Sequence, residues 1–118
     1  MSYDVQLYAL ETMNKHQKLN NENFFDHNEN LVKLSEKQFF TLKSRLLTYG
    51  YKLIKECEET IEFSKTDSTI TVLLTQLGVY FQSGFDTDDI FEINMTASEF
   101  TDIGEFAKYN PQDGGWEL

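Results

Sequence analysis

The stretch YKLIKECEETIEFSKTDSTITVLLTQLGVYFQS, residues 51–83, decides how the rest of the chain is read. It divides into short runs of strand-forming residues: YKLIKE (51–56), TIEFS (60–64), TITVLLT (69–75) and VYFQS (79–83). The acidic turn CEE, then TDS and QLG, separate them. Connections of about three residues are too short for the crossover that parallel strands need, so the spacing predicts an antiparallel meander. Within the third run Ile70, Val72 and Leu74 share a face, and Thr69, Thr71 and Thr75 suit the solvent side of a pleated sheet.

Upstream the pattern is helical. Phe39, Leu42, Leu46 and Tyr49 recur at helix spacing and give one apolar stripe. Ser35 and Gln38 fit a capping box, Leu34 can staple onto Phe39, and Gly50 supplies the C′ stop, so a helix is predicted over 36–49. At the start of the chain YDVQLYA (3–9) alternates apolar and polar, with Tyr3, Val5, Leu7 and Ala9 on one side, and reads as a strand. Between the two lies NKHQKLNNENFFDHNEN (14–30), with six asparagines. Asparagine competes for its own backbone, so the tract reads as a long loop, with Phe24 and Phe25 pinning it to the core.

Downstream, DTDDIFEINMTASEFT (86–101) fits two patterns. Ile90, Ile93, Ala97 and Phe100 make a helical stripe, and Asp89 and Glu92 stand at capping-box spacing. Phe91, Ile93, Met95 and Ala97 alternate as a strand would. Acids clustered at the start complement a helix N-terminus, and the reading adopted is a helix over 89–100. GEFAKY (104–109) returns to strand alternation. In the tail, Pro111, Asp113 and the Gly114–Gly115 pair can fold the last segment back so that Trp116 closes a core edge.

At 118 residues the chain fits one domain, 1–118, long enough to bury a core without metals or disulfides. Ten Phe and six Tyr supply bulk for that core. The single cysteine, Cys57, excludes an internal disulfide and points to a reducing compartment. The opening MSYDVQLYAL has neither the basic start nor the apolar run of a signal peptide, and no stretch approaches the roughly 20 apolar residues of a membrane span, so a cytoplasmic protein is expected. The net charge is −10 and unevenly spread. Residues 1–65 hold ten acids and nine bases, whereas residues 66–118 hold ten acids and one base, Lys108. Such a field repels nucleic acid and anionic membranes and attracts a basic partner.

Catalytic patterns are absent from the sequence. His16 and His27 stand eleven apart with no metal-ligand spacing to Cys57. DTDDIFE lacks the central glycine and spaced glutamate of a calcium loop. Cys57 lies among Glu56, Glu58 and Glu59, which disfavour its thiolate, and is expected to be a partly buried structural thiol. No phosphate loop or nucleophile elbow occurs. No metal and no cofactor is therefore expected.

The two ends of the chain carry a resemblance. MSYDVQLY (1–8) as an opening strand, and a strand entering KYNPQDGG near the C-terminus, resemble small bacterial proteins of the toxin-immunity kind, in which a Tyr-Asp-Pro-Gln-type turn occupies the second position. The likeness covers residues 1–8 and about 104–116, and Asn110 stands where that pattern has Asp. It implies an α+β domain that binds and neutralises a cognate toxin, and it carries over no catalytic residue.

These readings converge on an α+β fold in two layers. A mostly antiparallel sheet, built from the 51–83 meander and the terminal strands, is packed by helices 36–49 and 89–100. The expected function is non-enzymatic binding of a basic protein such as a toxin, through Asp86, Asp88, Asp89, Glu99, Asp102 and Glu105. Two alternatives stand beside it. One is a small-molecule or enzymatic site near the 14–30 loop, using His16, His27, Tyr49 and Tyr80. The other is a homo-oligomer subunit paired through a sheet edge.

Overall fold

The structure is a computed structural model that describes residues 3–19, 24, 28–111 and 115–117. The chain runs β1 (Tyr3–Ala9), α1 (Leu10–Leu19), a 3₁₀ turn (Asn28–Asn30), α2 (Glu36–Thr48), β2 (Lys52–Glu56), β3 (Thr60–Ser64), β4 (Thr71–Thr75), β5 (Val79–Ser83), α3 (Thr87–Phe100), β6 (Phe106–Asn110) and β7 (Gly115–Glu117). All seven strands form one sheet in the order β2-β3-β4-β5-β1-β6-β7, antiparallel at every step. The α+β architecture and the meander are as expected. β1 sits between β5 and β6, and α3 is the crossover that carries the chain from one of its neighbours to the other.

Strand alternation divides the sheet into two unlike faces. On one, the registered row Ile61–Leu74–Val79–Leu7 lies beside the row Phe63–Val72–Phe81–Val5, and all eight side chains are buried. Helices α2 and α3 close this face with Leu42, Leu46, Ile93, Ala97 and Phe100. Each fully buried aliphatic or aromatic side chain here contributes about 1.5–3 kcal/mol relative to an exposed one. The opposite face carries the row Glu62–Leu73–Tyr80–Gln6–Tyr109–Trp116. Among the described residues its β1–β7 end is the better covered, by Phe24 and Leu31 packed on Tyr8 and by His16 of α1 against Phe24 and Trp116.

The second helix follows its sequence signals. Ser35 caps it, its hydroxyl accepts from the Gln38 amide at 3.1 Å, and the Gln38 side chain accepts from the Ser35 amide at 2.9 Å. Gly50 leaves it at φ 91°, a conformation that glycine adopts without a Cβ penalty.

Helix α1 corrects the loop reading of 14–30, because residues 14–19 are the last six of its ten. Its one buried residue is Thr12, whose hydroxyl accepts from the Val32 amide at 2.9 Å. Phe24 is buried as expected, whereas the expectations for Phe25 and His27 lie outside the described residues.

The ambiguity over 86–101 resolves to helix. Ile93, Ala97 and Phe100 are buried, while Phe91 and Met95, which a strand would place beside Ile93, are 67% and 40% exposed. The helix begins three residues earlier than Asp89–Glu92 spacing suggests. Asp86 is the N-cap, and its carboxylate accepts from the amides of Asp88 and Asp89.

Cys57 is exposed in the β2–β3 turn and is not the partly buried thiol expected of it. The tail does fold back: β7 pairs with β6, and Trp116 lies opposite Tyr109. Trp116 is half-buried in the smaller aromatic cluster, so it flanks the core edge and does not plug it. The turn expectations for Asp113 and Gly114 fall outside the described residues.

Candidate functional site

The acidic half of the chain is organised around α3. Among the contacts that fix this helix against the rest of the fold, four involve a charged side chain. At its N-terminal end Asp89 accepts from the Thr69 hydroxyl at 2.6 Å and the Thr69 amide at 3.0 Å, which holds the Asp89 carboxyl below the usual aspartate range. Midway, Lys65 pairs with Glu92, donates to the Tyr49 carbonyl at 3.3 Å and sits 4.9 Å over the Tyr51 ring. At the C-terminal end Arg45 of α2 grips Asp102 with both terminal nitrogens, at 2.9 and 3.3 Å, while its guanidinium lies 4.6 Å over Phe100. This pairing holds the Asp102 carboxyl low, and it places a cation at the end of a helix with no basic residue in its last turn.

The fourth contact comes from β6. The core row continues from Leu7 to Lys108 and Glu117 in register, so the only base of residues 66–118 faces the core side. Lys108 is 3% exposed. Its ammonium donates to the Asn94 carbonyl at 3.2 Å and the Ser98 hydroxyl at 3.0 Å, and pairs with Glu117 at 2.7 Å. Beside it the Tyr3 hydroxyl accepts from Asn94 at 3.2 Å and from Asn110 at 2.9 Å. A buried cation with three acceptors meets the condition under which buried charge is tolerated.

Against this frame the six acids named from sequence separate into two groups and several roles. Asp86, Asp88 and Asp89 gather at the start of α3, around a shallow depression shared with Asp67. Glu99, Asp102 and Glu105 lie at or beyond its other end, a helix length of about 20 Å away. Asp86 caps, Asp89 anchors Thr69, Asp102 holds Arg45 and Glu105 accepts from Gln38 at 3.2 Å. Asp88 and Glu99 are exposed, and the helix spacing sets them in one line with Phe91 and Met95. Phe91 and Met95 are the members of this surface that charge counting missed; their signal was the strand-like alternation that the helix left facing outward. Phe85 and Ile103, at 55% and 47% exposure, flank the two ends of α3.

Of the described residues proposed for a pocket near 14–30, Tyr49 lies apart, whereas His16 and Tyr80 border one aromatic cluster. Tyr49 packs edge-on to Phe100 on the α2–α3 side of the sheet. Tyr80 faces the opposite side, 5.9 Å from the Tyr8 ring. His16 accepts from the Trp116 indole at 2.8 Å through Nδ1, stacked 4.6 Å from Phe24. Burial raises the hydroxyl pKa of Tyr8 and Tyr80, as expected for tyrosines in an aromatic cluster. His27 lies outside the described residues.

Among the described residues no set of three or more His, Cys, Asp or Glu is arranged to hold a metal ion, and no helix is long and apolar enough to cross a membrane. No family model, curated protein or solved structure matches the chain.

Proposed function

We propose that the chain is a non-enzymatic binding domain for a basic protein, which it engages through the exposed face of α3. The observation that carries this reading is the line Asp88–Phe91–Met95–Glu99. It sets large exposed apolar side chains between carboxylates, on a helix whose residues 87–100 include no lysine or arginine. Apolar anchors inside a charged rim are the usual composition of a protein-binding patch. The uncompensated acids add steering toward a partner of opposite charge. An immunity-type inhibitor of a basic toxin is the specific form of this function that the resemblance at the chain ends implies.

The test is capture from the source cell's lysate on the immobilised protein, washed at low salt and eluted in salt steps. A basic protein should leave at a defined step. Phe91→Ser with Met95→Ser should abolish its capture, and Asp88→Asn with Glu99→Gln should move it to a lower step. Retention that ignores both salt and these substitutions would remove α3 from the proposal. A chain that captures only itself would favour the homo-oligomer reading.

A further inference from the structure

We infer that the partner element received by α3 is an amphipathic basic helix, lying along the helix with its apolar stripe on Phe91 and Met95. This rests on the binding role proposed above and specifies the shape of what binds. The spacing Asp88, Phe91, Met95, Glu99 advances by three, four and four residues. Eleven residues over three turns keep this line nearly parallel to the helix axis. Its carboxylate ends stand about 16 Å apart.

A helix face offers no free backbone N–H or C=O groups along its middle, so an extended strand laid there would gain no ladder bonds. A partner helix satisfies its own backbone and presents a ridge of side chains that α3 can interleave, Phe91 and Met95 forming the facing ridge. Methionine and phenylalanine side by side adapt to apolar stripes of varied sequence. Lysines or arginines one turn beyond each end of the partner's stripe would then reach Asp88 and Glu99. The Asp89–Thr69 and Arg45–Asp102 contacts hold α3 at both ends, so binding need not order it first.

The probe is a synthetic peptide of leucine, alanine and lysine whose leucines share one helical face. Its control has the same composition reordered so that the leucines alternate as in a strand. Both are titrated into the full-length protein, followed by amide chemical shifts and by the far-ultraviolet signature of peptide helix formation. The helical peptide should bind at least about ten-fold more tightly than the control, gain helix on binding and shift amides of α3. Phe91→Ser with Met95→Ser, at positions 67% and 40% exposed where the folding cost is small, should weaken it by about ten-fold or more. Equal binding of the two peptides would overturn the helix inference while leaving a basic surface as the partner. Shifts centred on α2 and β2, or no binding of the helical peptide, would overturn it too. The capture experiment above then judges the wider binding role separately.

Discussion

Helices α2 and α3 lie on the same face of the sheet and bury similar stripes, yet their outer surfaces differ in kind. Both expose two large apolar residues, Phe40 and Leu47 on α2 and Phe91 and Met95 on α3. On α2 the surroundings are of mixed charge: Lys43 lies 5.9 Å from the Phe40 ring centre and pairs with Glu56 at 2.7 Å. On α3 every charged residue is an acid, and the cations that reach it come from other elements, at its flank and ends. The fold needs only the inner stripes to be alike. The proposed binding role rests on this difference between outer surfaces that the fold itself leaves unconstrained.

The largest effect should come from the part the two helices share. Phe100→Ala removes a fully buried ring and the surface on which Arg45 stacks, and should cost about 3–5 kcal/mol in urea unfolding. Leu46→Ala on α2 should cost about 2–5 kcal/mol. A much smaller loss for Phe100→Ala than for Leu46→Ala would show that α3 is a loosely held layer, and the comparison would fail.

A second test uses the buried lysine that only α3 receives. Glu117→Ala leaves the Lys108 ammonium without its carboxylate and should cost about 1–3 kcal/mol. Lys108→Met, which removes the charge but keeps the apolar stem, should stay within about 1 kcal/mol of the parent. The reverse order would mean that the ammonium's bonds to Asn94 and Ser98, and not its neutralisation, hold α3 to β6.

The caps should weigh alike. Ser35→Ala on α2 and Asp86→Ala on α3 should each cost about 1 kcal/mol, measured as a shift in urea midpoint.

The pH dependence separates inner from outer contacts. Burial pushes the Tyr51 hydroxyl up to about 12. The folded state therefore keeps a proton that the unfolded chain releases near 10, and stability should fall as pH rises from about 10 toward 12. Tyr51→Phe should lessen that fall without removing it, because the buried Tyr8 and Tyr80 hydroxyls act in the same sense. Asp89 and Asp102, held low by Thr69 and Arg45, act in the opposite sense. Their support is complete above the usual aspartate range near 4 and is lost as pH drops below it. Asp102→Asn should lessen the acid loss in a thermal scan, and an unchanged acid limb would mean that the Arg45 grip contributes nothing in solution.

What the sequence made legible was whatever buried apolar residues at a regular period. The meander, α2 and the inner stripe of α3 are all of this kind. Helix α1 was not, because the residues that dock it are Thr12 and His16, polar groups that leave no hydrophobic stripe. Lys108 escaped for the same reason: a lysine in a strand is read as facing solvent, and only the register with Leu7 reveals that it points inward. The Trp116–His16 bond joins residues 100 apart and has no local signature. For the surface, the acids were visible but their roles were not. Capping, anchoring to Thr69 and pairing with Arg45 depend on elements distant in sequence, and Phe91 and Met95 turned outward only once Ile93 and Ala97 were known to be inside.

The place of β1 bears on how the chain is made. Its first partner, β5, ends at Ser83 and its second, β6, ends at Asn110. During synthesis β1 leaves the ribosome more than 70 residues ahead of β5, the earlier of its two neighbours. The meander and α2, whose contacts are closer in sequence, can assemble first. A nascent chain arrested before Phe106 would present β1 with one edge unpaired, open to aggregation or to a chaperone that reads exposed strands.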